Sequence, residues 1–285
     1  MIYDLTKVHR ANLWILKEID RICRKYKIQY LLDAGTLLGA VRHEGFIPWD
    51  DDADVAFTRK NFDTFLKAAK NELPDGLELL MPEEVGGGRA FYDFTPRILY
   101  LNSQTHNQDS RTDYYGGKLN HLWVDLFIID EISDKPLQRA WTLFQMKTVY
   151  GFAMGHRYDL DYSKYSLTNK LFVVLLANIG KLLSMKTIHK WQSKIALKYQ
   201  KGIYSSRYYS NYDPNFLYVT LKKEWCENTV SMKFCDTMLM CPAGWQEVLT
   251  QVYGDYEKLP PIEQQIPAHS NMEEDGFYVQ DRIEE

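Results

Sequence analysis

Apolar side chains recur at helical spacing from about Thr6 to Lys27, at Val8, Leu13, Ile15, Leu16, Ile19, Ile22, Cys23 and Tyr26, the stripe an amphipathic helix turns toward a core. The short apolar run from Ile28 to Ala34 ends at Gly35 and predicts a buried strand. Thr36 stands where it can cap a short helix through Leu37, Leu38, Ala40 and Val41, before Gly45 and Pro48 break the chain into a loop. Asp52-Ala53-Asp54-Val55-Ala56-Phe57 alternates polar and apolar residues, as a half-exposed strand does. Phe62, Phe65, Leu66 and Ala69 mark another helix, which Pro74 ends. β-rich stretches follow around Arg89 to Leu101 and Asn120 to Asp130, and inside the second the apolar run from Trp123 to Ile129 is interrupted by one carboxylate, Asp125.

From about Pro136 to Lys201 the pattern is helical, and the remainder reads as irregular, closing in an acidic tail at Glu273, Glu274 and Asp275. The predicted class is α+β: a core over residues 1–135, a helical basic region over 136–205 packed on it, and an irregular C-terminal part over 206–285.

Composition adjusts this picture only in places. With 45% apolar and 25% charged residues the chain is in the ordinary globular range, and a net charge of −4 gives no nucleic-acid footprint, so no nucleic-acid partner is expected. The 20 tyrosines and 7 tryptophans suit a ring-binding cleft or an aromatic core equally. Cys23, Cys226, Cys235 and Cys241 match no zinc-ligand spacing and make no disulfide scaffold. The start Met1-Ile2-Tyr3-Asp4 lacks a signal-peptide pattern, and the apolar run from Leu171 to Ile179 falls short of the ~20 residues a spanning helix needs. A cytoplasmic protein is expected. Between Lys164 and Lys201 there is no Asp or Glu among the lysines; this stretch is either a core helix with a solvated basic face or a peripheral contact to the inner face of an anionic membrane.

The chemistry concentrates in Asp50-Asp51-Asp52-Ala53-Asp54. Two carboxylates at i and i+2 on a strand sit ~6.6 Å apart on one face and repel by roughly 2.5 kcal/mol at an effective dielectric near 20. Such a cluster is either a solvated turn or a site for a hard cation, Mg²⁺ or Mn²⁺. An EF-hand loop is excluded, because Val55 occupies the position that requires Gly and Asn61 the one that requires Glu. Asp125 is the natural third ligand; its alternative is a buried Asp satisfied by backbone donors or an arginine. Asp51 is expected on the opposite strand face and dispensable. Gly35-Thr36 lies between a strand and a helix N-terminus, a place that attracts phosphate. Asp-x-Asp on one strand and a single Asp on a later one match the metal site of the nucleotidyltransferase fold.

The segment from Leu32 through Ala34-Gly35-Thr36-Leu37-Leu38-Gly39-Ala40-Val41-Arg42-His43-Glu44-Gly45-Phe46-Ile47-Pro48-Trp49 to Asp54 resembles the signature of the LicD family, the bacterial phosphocholine transferases related to fukutin and fukutin-related protein. Trp123-Val124-Asp125-Leu126-Phe127 is similar to that family's later carboxylate strand, and Tyr253-Gly254-Asp255-Tyr256-Glu257-Lys258-Leu259-Pro260-Pro261 to its C-terminal motif. Ala34 and Ala53 stand where the family often has Gly or Ile.

The resemblance implies a nucleotidyltransferase-like mixed β-sheet core with flanking helices. It implies transfer of a phosphorylated alcohol such as phosphocholine from a CDP-linked donor to a hydroxyl of a surface glycan, in lipopolysaccharide or teichoic acid biosynthesis, with release of CMP. The acceptor would be a glycan or lipid-linked glycan. Asp52, Asp54 and Asp125 would hold the metal, with Asp50 assisting, and Gly35 and Thr36 would contact donor phosphates. Arg42, His43 and Arg97 are further phosphate candidates, although Arg42 and His43 can equally pin the loop, and Trp49 can stack on a base or close the core. A glycosyltransferase using a nucleotide-sugar donor also needs an Asp-x-Asp metal pair, and a non-catalytic glycan-binding relative would keep the same scaffold.

Overall fold

The computed structural model describes residues 4–105, 107–164, 167–267 and 278–279; the acidic tail at Glu273, Glu274 and Asp275 lies outside them. The first apolar stripe folds as α1 (Thr6–Tyr26), which buries Val8, Ile15, Leu16, Ile19, Ile22 and Cys23. Tyr26 leaves that face: it is exposed, and its hydroxyl donates to Glu72 at 2.7 Å.

The expected strand after it shrinks to β1 (Leu31–Leu32), because α2 (Ala34–His43) begins two residues before Thr36. Thr36 therefore does not cap that helix. Its hydroxyl oxygen instead accepts from the Asp54 amide at 2.8 Å. β2 (Asp54–Thr58) starts at Asp54 and is buried over its first four residues, not half-exposed. It lies inside the sheet between two other strands, with α2 and α3 (Arg59–Glu72) packed on it, and an interior strand shows no solvent face.

β3 (Leu77–Leu80), β4 (Arg97–Tyr100) and β5 (Ser103–Gln104) precede the short helix α4 (Ser110–Tyr114), and the apolar run around Asp125 becomes β6 (Leu122–Ile132). β6 is the spine of a seven-stranded mixed sheet of order β1-β2-β6-β4-β3. One edge of β6 pairs in parallel with β2 over residues 125–129. The other pairs antiparallel with β4 over residues 122–125 and then with a strand from the C-terminal part over residues 129–132.

The helical region folds as α5 (Pro136–Ala153), α6 (Leu167–Gly180) and α7 (Met185–Ala196), with α5 packed against both of the others. The part expected to be irregular is largely regular: β7 (Ser206–Tyr209) adds to β6, β8 (Thr220–Lys222) adds to β7, and α8 (Lys223–Cys226) leads into the hairpin of β9 (Thr229–Phe234) and β10 (Thr237–Pro242). α9 (Trp245–Tyr253) follows, and β11 (Tyr278–Val279) pairs with β5. One hydrophobic core runs from Leu5 to Val279, so the C-terminal elements complete the core that α1 begins.

Candidate active site

The register of two strands fixes the site. β2 and β6 run parallel with Asp54 opposite Asp125, and β4 runs antiparallel to β6 with Arg97 opposite the same Asp125. The loop that delivers Asp50 and Asp52 is pinned from behind. His9 of α1 hydrogen-bonds the Asp50 carbonyl oxygen at 2.7 Å through Nε2 and stacks on Phe46, with ring centroids 4.6 Å apart. The Asp125 amide donates to the Ala53 carbonyl at 3.0 Å, and the Asp33 amide donates to the Asp54 carbonyl at 3.1 Å. Asp50, Asp52, Asp54 and Asp125 thereby border one cleft of about 1020 Å³, a size that admits a drug-sized or nucleotide-sized ligand.

Electrostatics favour a cation here. Burial pushes the Asp54 carboxyl well above the usual carboxylate range, and the charges of Asp52, Asp125, Asp33 and Asp50 push it further. Burial likewise pushes Asp125 up to about 6, against the opposing pull of Arg97. One oxygen each from Asp50, Asp51 and Asp52 lies within 4.8 Å of the others. The charge of Asp52 also acts on Asp54 and Asp125, but among the described residues the expected trio Asp52, Asp54 and Asp125 does not come together as tightly as this group. An all-carboxylate donor set of this kind fits a hard divalent ion.

Asp51, expected on the opposite face from its neighbours, lies away from the cleft. It is buried, and its charge raises the proton affinity of His9 against the larger opposing effect of burial.

The phosphate candidates divide. Gly35 borders the cleft, but the space its missing side chain leaves is filled by the Asp50 carboxylate, which a Cβ would strike. Thr36 is buried behind the site, bonded to Asp54. Arg42 borders the cleft, donates to the Tyr256 carbonyl at 3.3 Å, and leaves its other terminal nitrogen buried without a hydrogen-bond partner. His43 is exposed outside the cleft, edge-on to Trp49 at 6.3 Å, while Trp49 itself borders it.

Arg97 is buried, and its Nε is ion-paired with Asp125 without forming a hydrogen bond. It forks onto Asp93 at 2.9 and 2.5 Å, donates to the Thr95 carbonyl, and places Nε 2.9 Å from an Asp125 oxygen. The rings of Tyr92 and Trp123 lie over its guanidinium at 5.2 and 4.9 Å. Arg97 pairs with Asp125, the arginine-satisfied alternative to the ligand reading of that residue.

Other side chains at the site were not among the candidates named from the sequence. Asp33 is buried and accepts from the hydroxyls of Tyr209 and Tyr212, each at 2.7 Å, with the two rings stacked at 4.0 Å. Burial raises its proton affinity, and the two hydroxyls oppose that. Arg111, Arg157 and Lys258 add cations to the cleft wall. Only Lys258 lies in a recognisable segment, the one from Tyr253 to Pro261, whose residues cover the cleft from the α9 side. Ala34, at the mouth of α2, has φ +44°, a conformation costly for a residue with a Cβ.

Over 265 residues the chain is 30% identical to the lipopolysaccharide cholinephosphotransferase LicD of Haemophilus influenzae, covering 90% of this chain and 92% of that protein. The chain belongs to the LicD family. The family model described as LicD/FKTN/FKRP, nucleotidyltransferase domain, matches residues 27–150. That span holds Asp50, Asp52, Asp54, Asp125 and Arg97 but neither the Tyr209 and Tyr212 pair nor the Tyr253 segment, so the LicD model ends before the elements that close the cleft. Shorter similarity joins the chain to uncharacterised proteins of Rickettsia typhi, 43% identical over 60 residues (21% of this chain, 19% of that protein), and of Rickettsia prowazekii, 43% over 47 residues (16% and 18%).

Proposed function

We propose that this LicD-family protein transfers phosphocholine, or a closely related phosphorylated alcohol, from a CDP-linked donor to a hydroxyl of a lipopolysaccharide-type glycan, with CMP as the leaving group. The observation that carries this reading is the convergence of Asp50, Asp52, Asp54 and Asp125 on one cleft, in a chain similar along 90% of its length to a lipopolysaccharide cholinephosphotransferase. The mixed sheet is read as nucleotidyltransferase-like, with Asp54 and Asp125 adjacent on parallel strands.

Asp52, Asp54 and Asp125 would hold Mg²⁺ or Mn²⁺. When bound, the ion neutralises the donor diphosphate and the charge that develops on the departing CMP. The chain's own groups do the positioning that phosphoryl transfer chiefly requires. Arg97 clamps Asp125, and Thr36 fixes the Asp54 backbone. Arg42, Arg111, Arg157 and Lys258 supply the positive wall against which the donor phosphates lie.

The acceptor hydroxyl oxygen bonds to the phosphorus of the phosphoalcohol as the bond from that phosphorus to the CMP oxygen breaks. Asp50 takes the hydroxyl proton. It borders the cleft with its backbone held by His9, whereas Asp125 is committed to Arg97.

The test is a panel of CDP-alcohols and UDP-sugars incubated with the full chain and a glycan acceptor, with and without Mg²⁺ or Mn²⁺. Metal-dependent CMP release from CDP-choline, with no release of UDP from the sugars, is expected. UDP release with CDP-choline inert would establish a nucleotide-sugar glycosyltransferase instead, and glycan binding with no turnover of any donor a non-catalytic module.

A further inference from the structure

Away from the cleft, the helical region has a surface of opposite character. From Lys135 to Tyr212 the only acidic residues are Asp159 and Asp161, and α5, α6 and α7 have none, in a chain whose net charge is −4. α6 is seated on α5 by close backbone approach: a Cβ at Gly151 would meet the Leu176 side chain, and one at Gly180 would enter the Phe152 backbone. That contact buries one side of α6 and turns the other outward, where Leu171 and Phe172 are 73% and 65% exposed and Leu175 and Ile179 are also exposed. At 3.6 residues per turn these four lie within an arc of about 100°, a continuous apolar stripe. Among the described residues no single helix is long and apolar enough to cross a membrane.

α5 and α7 enclose a groove of about 520 Å³ lined by Trp141, Phe144, Trp191, Lys194 and Lys198. The rings of Trp141 and Phe144 stack at 5.4 Å, and both are more than half exposed. Trp191 packs its ring edge-on to Phe152 of α5 at 6.1 Å.

We infer that the stripe on α6 and the groove between α5 and α7 dock on an anionic lipid bilayer, with the lysines meeting lipid phosphates while the apolar and aromatic side chains enter the headgroup layer. A solvated basic face would not keep Leu, Phe and Trp outward across three helices, and a core helix would not leave them exposed. Tryptophans beside lysines are the composition an interface selects, because the ring has an apolar body and a polar edge and the lysine stem lies along apolar surface. From Lys164 to Lys201 there are lysines but no arginine; lysine is a point charge suited to a diffuse anionic field and not to forked recognition of one protein carboxylate. The inference stands apart from the proposed reaction, because lipid binding is read without donor or acceptor.

Vesicle co-sedimentation of the full chain decides it, using phosphatidylcholine alone and phosphatidylcholine mixed equally with phosphatidylglycerol, at low and high salt. The chain is expected to sediment with the anionic vesicles, about tenfold or more better than with neutral ones, and to be released by salt. Lys194→Glu with Lys198→Glu lowers binding about tenfold or more. Leu171→Ser with Leu175→Ser lowers it at both salt concentrations, and unchanged circular-dichroism melting excludes loss of folding in either pair. A chain that stays in the supernatant at low salt, or that binds both vesicle types equally, overturns the inference. So does a dimer by sedimentation velocity that Leu171→Ser with Leu175→Ser dissociates without changing vesicle binding, since the face then covers a second copy.

Discussion

The cleft and the α5–α7 face both depend on like charges gathered together, yet they handle them in opposite ways. In the cleft, Asp54 and Asp125 are withdrawn from water and set beside one another by strand register, so each proton or cation taken up there carries a large free-energy consequence. On the helical face the lysines are exposed and screened, and each contributes little until a charged surface approaches. Net charge alone hides this division. What separates the two regions is burial, and burial is set by where each segment enters the sheet.

The sharpest way to stress the contrast is to break a buried pair. Arg97→Met leaves Asp93 and Asp125 without the guanidinium that joins them and is expected to destabilise the fold by about 3 kcal/mol or more, read by urea unfolding. A loss under about 1 kcal/mol would show that the pair is not buried as described.

A pH series sharpens the same point. Asp125 is pushed up to about 6 from an ordinary value of 3.8. This is the reverse of the usual salt-bridged carboxylate: between those two values the folded chain binds more protons than the unfolded one. Stability from this group therefore falls as pH rises through that window, and the penalty is complete above about 6. Mn²⁺ should raise the melting temperature more at pH 7.5 than at pH 5. An equal or larger rise at pH 5 would contradict the burial of uncompensated carboxylates.

A smaller effect is expected at Ala34. Its φ of +44° is relieved by Ala34→Gly, which should stabilise the chain by about 0.5–1 kcal/mol despite the entropy glycine loses on folding. Smallest is the exposed face: Lys194→Glu with Lys198→Glu should leave unfolding free energy within about 0.5 kcal/mol of the original.

How far the sequence disclosed this arrangement varied with the kind of signal. α1 and β6 were legible because their periodicity is strong and long. Asp50, Asp52 and Asp54 were legible as a group because clustered like charges require a reason, and Asp125 because it interrupts an apolar run. In sequence Thr36 and Arg97 read as phosphate contacts, because a hydroxyl or guanidinium beside a motif looks equally able to face ligand or protein, and only the register of β4, β2 and β6 shows both held by the carboxylates' own frame. Asp51 was assigned to a strand face, but the strand begins at Asp54.

The C-terminal elements were read as irregular because β7 and β8 are four and three residues long, too short for alternation to register. Their tyrosines could not announce that they would meet Asp33 some 180 positions earlier; Tyr212 and Asp33 are 179 residues apart. The outward face of α6 was undecided in sequence because an apolar run is the same whether buried or exposed, and the glycines that seat it on α5 settle its orientation only in three dimensions.

The central claim, that Asp54 belongs to a divalent-cation site used in transfer from a CDP-alcohol, is tested most directly by paired titration and turnover of Asp54→Asn. Mn²⁺ binding followed by electron paramagnetic resonance and CMP release from CDP-choline followed in the same preparation should fall together, turnover by about 10²–10³-fold or more, while the folded state, freed of a buried charge, melts no lower than the original chain. Unchanged Mn²⁺ affinity and unchanged CMP release in folded Asp54→Asn would contradict the account.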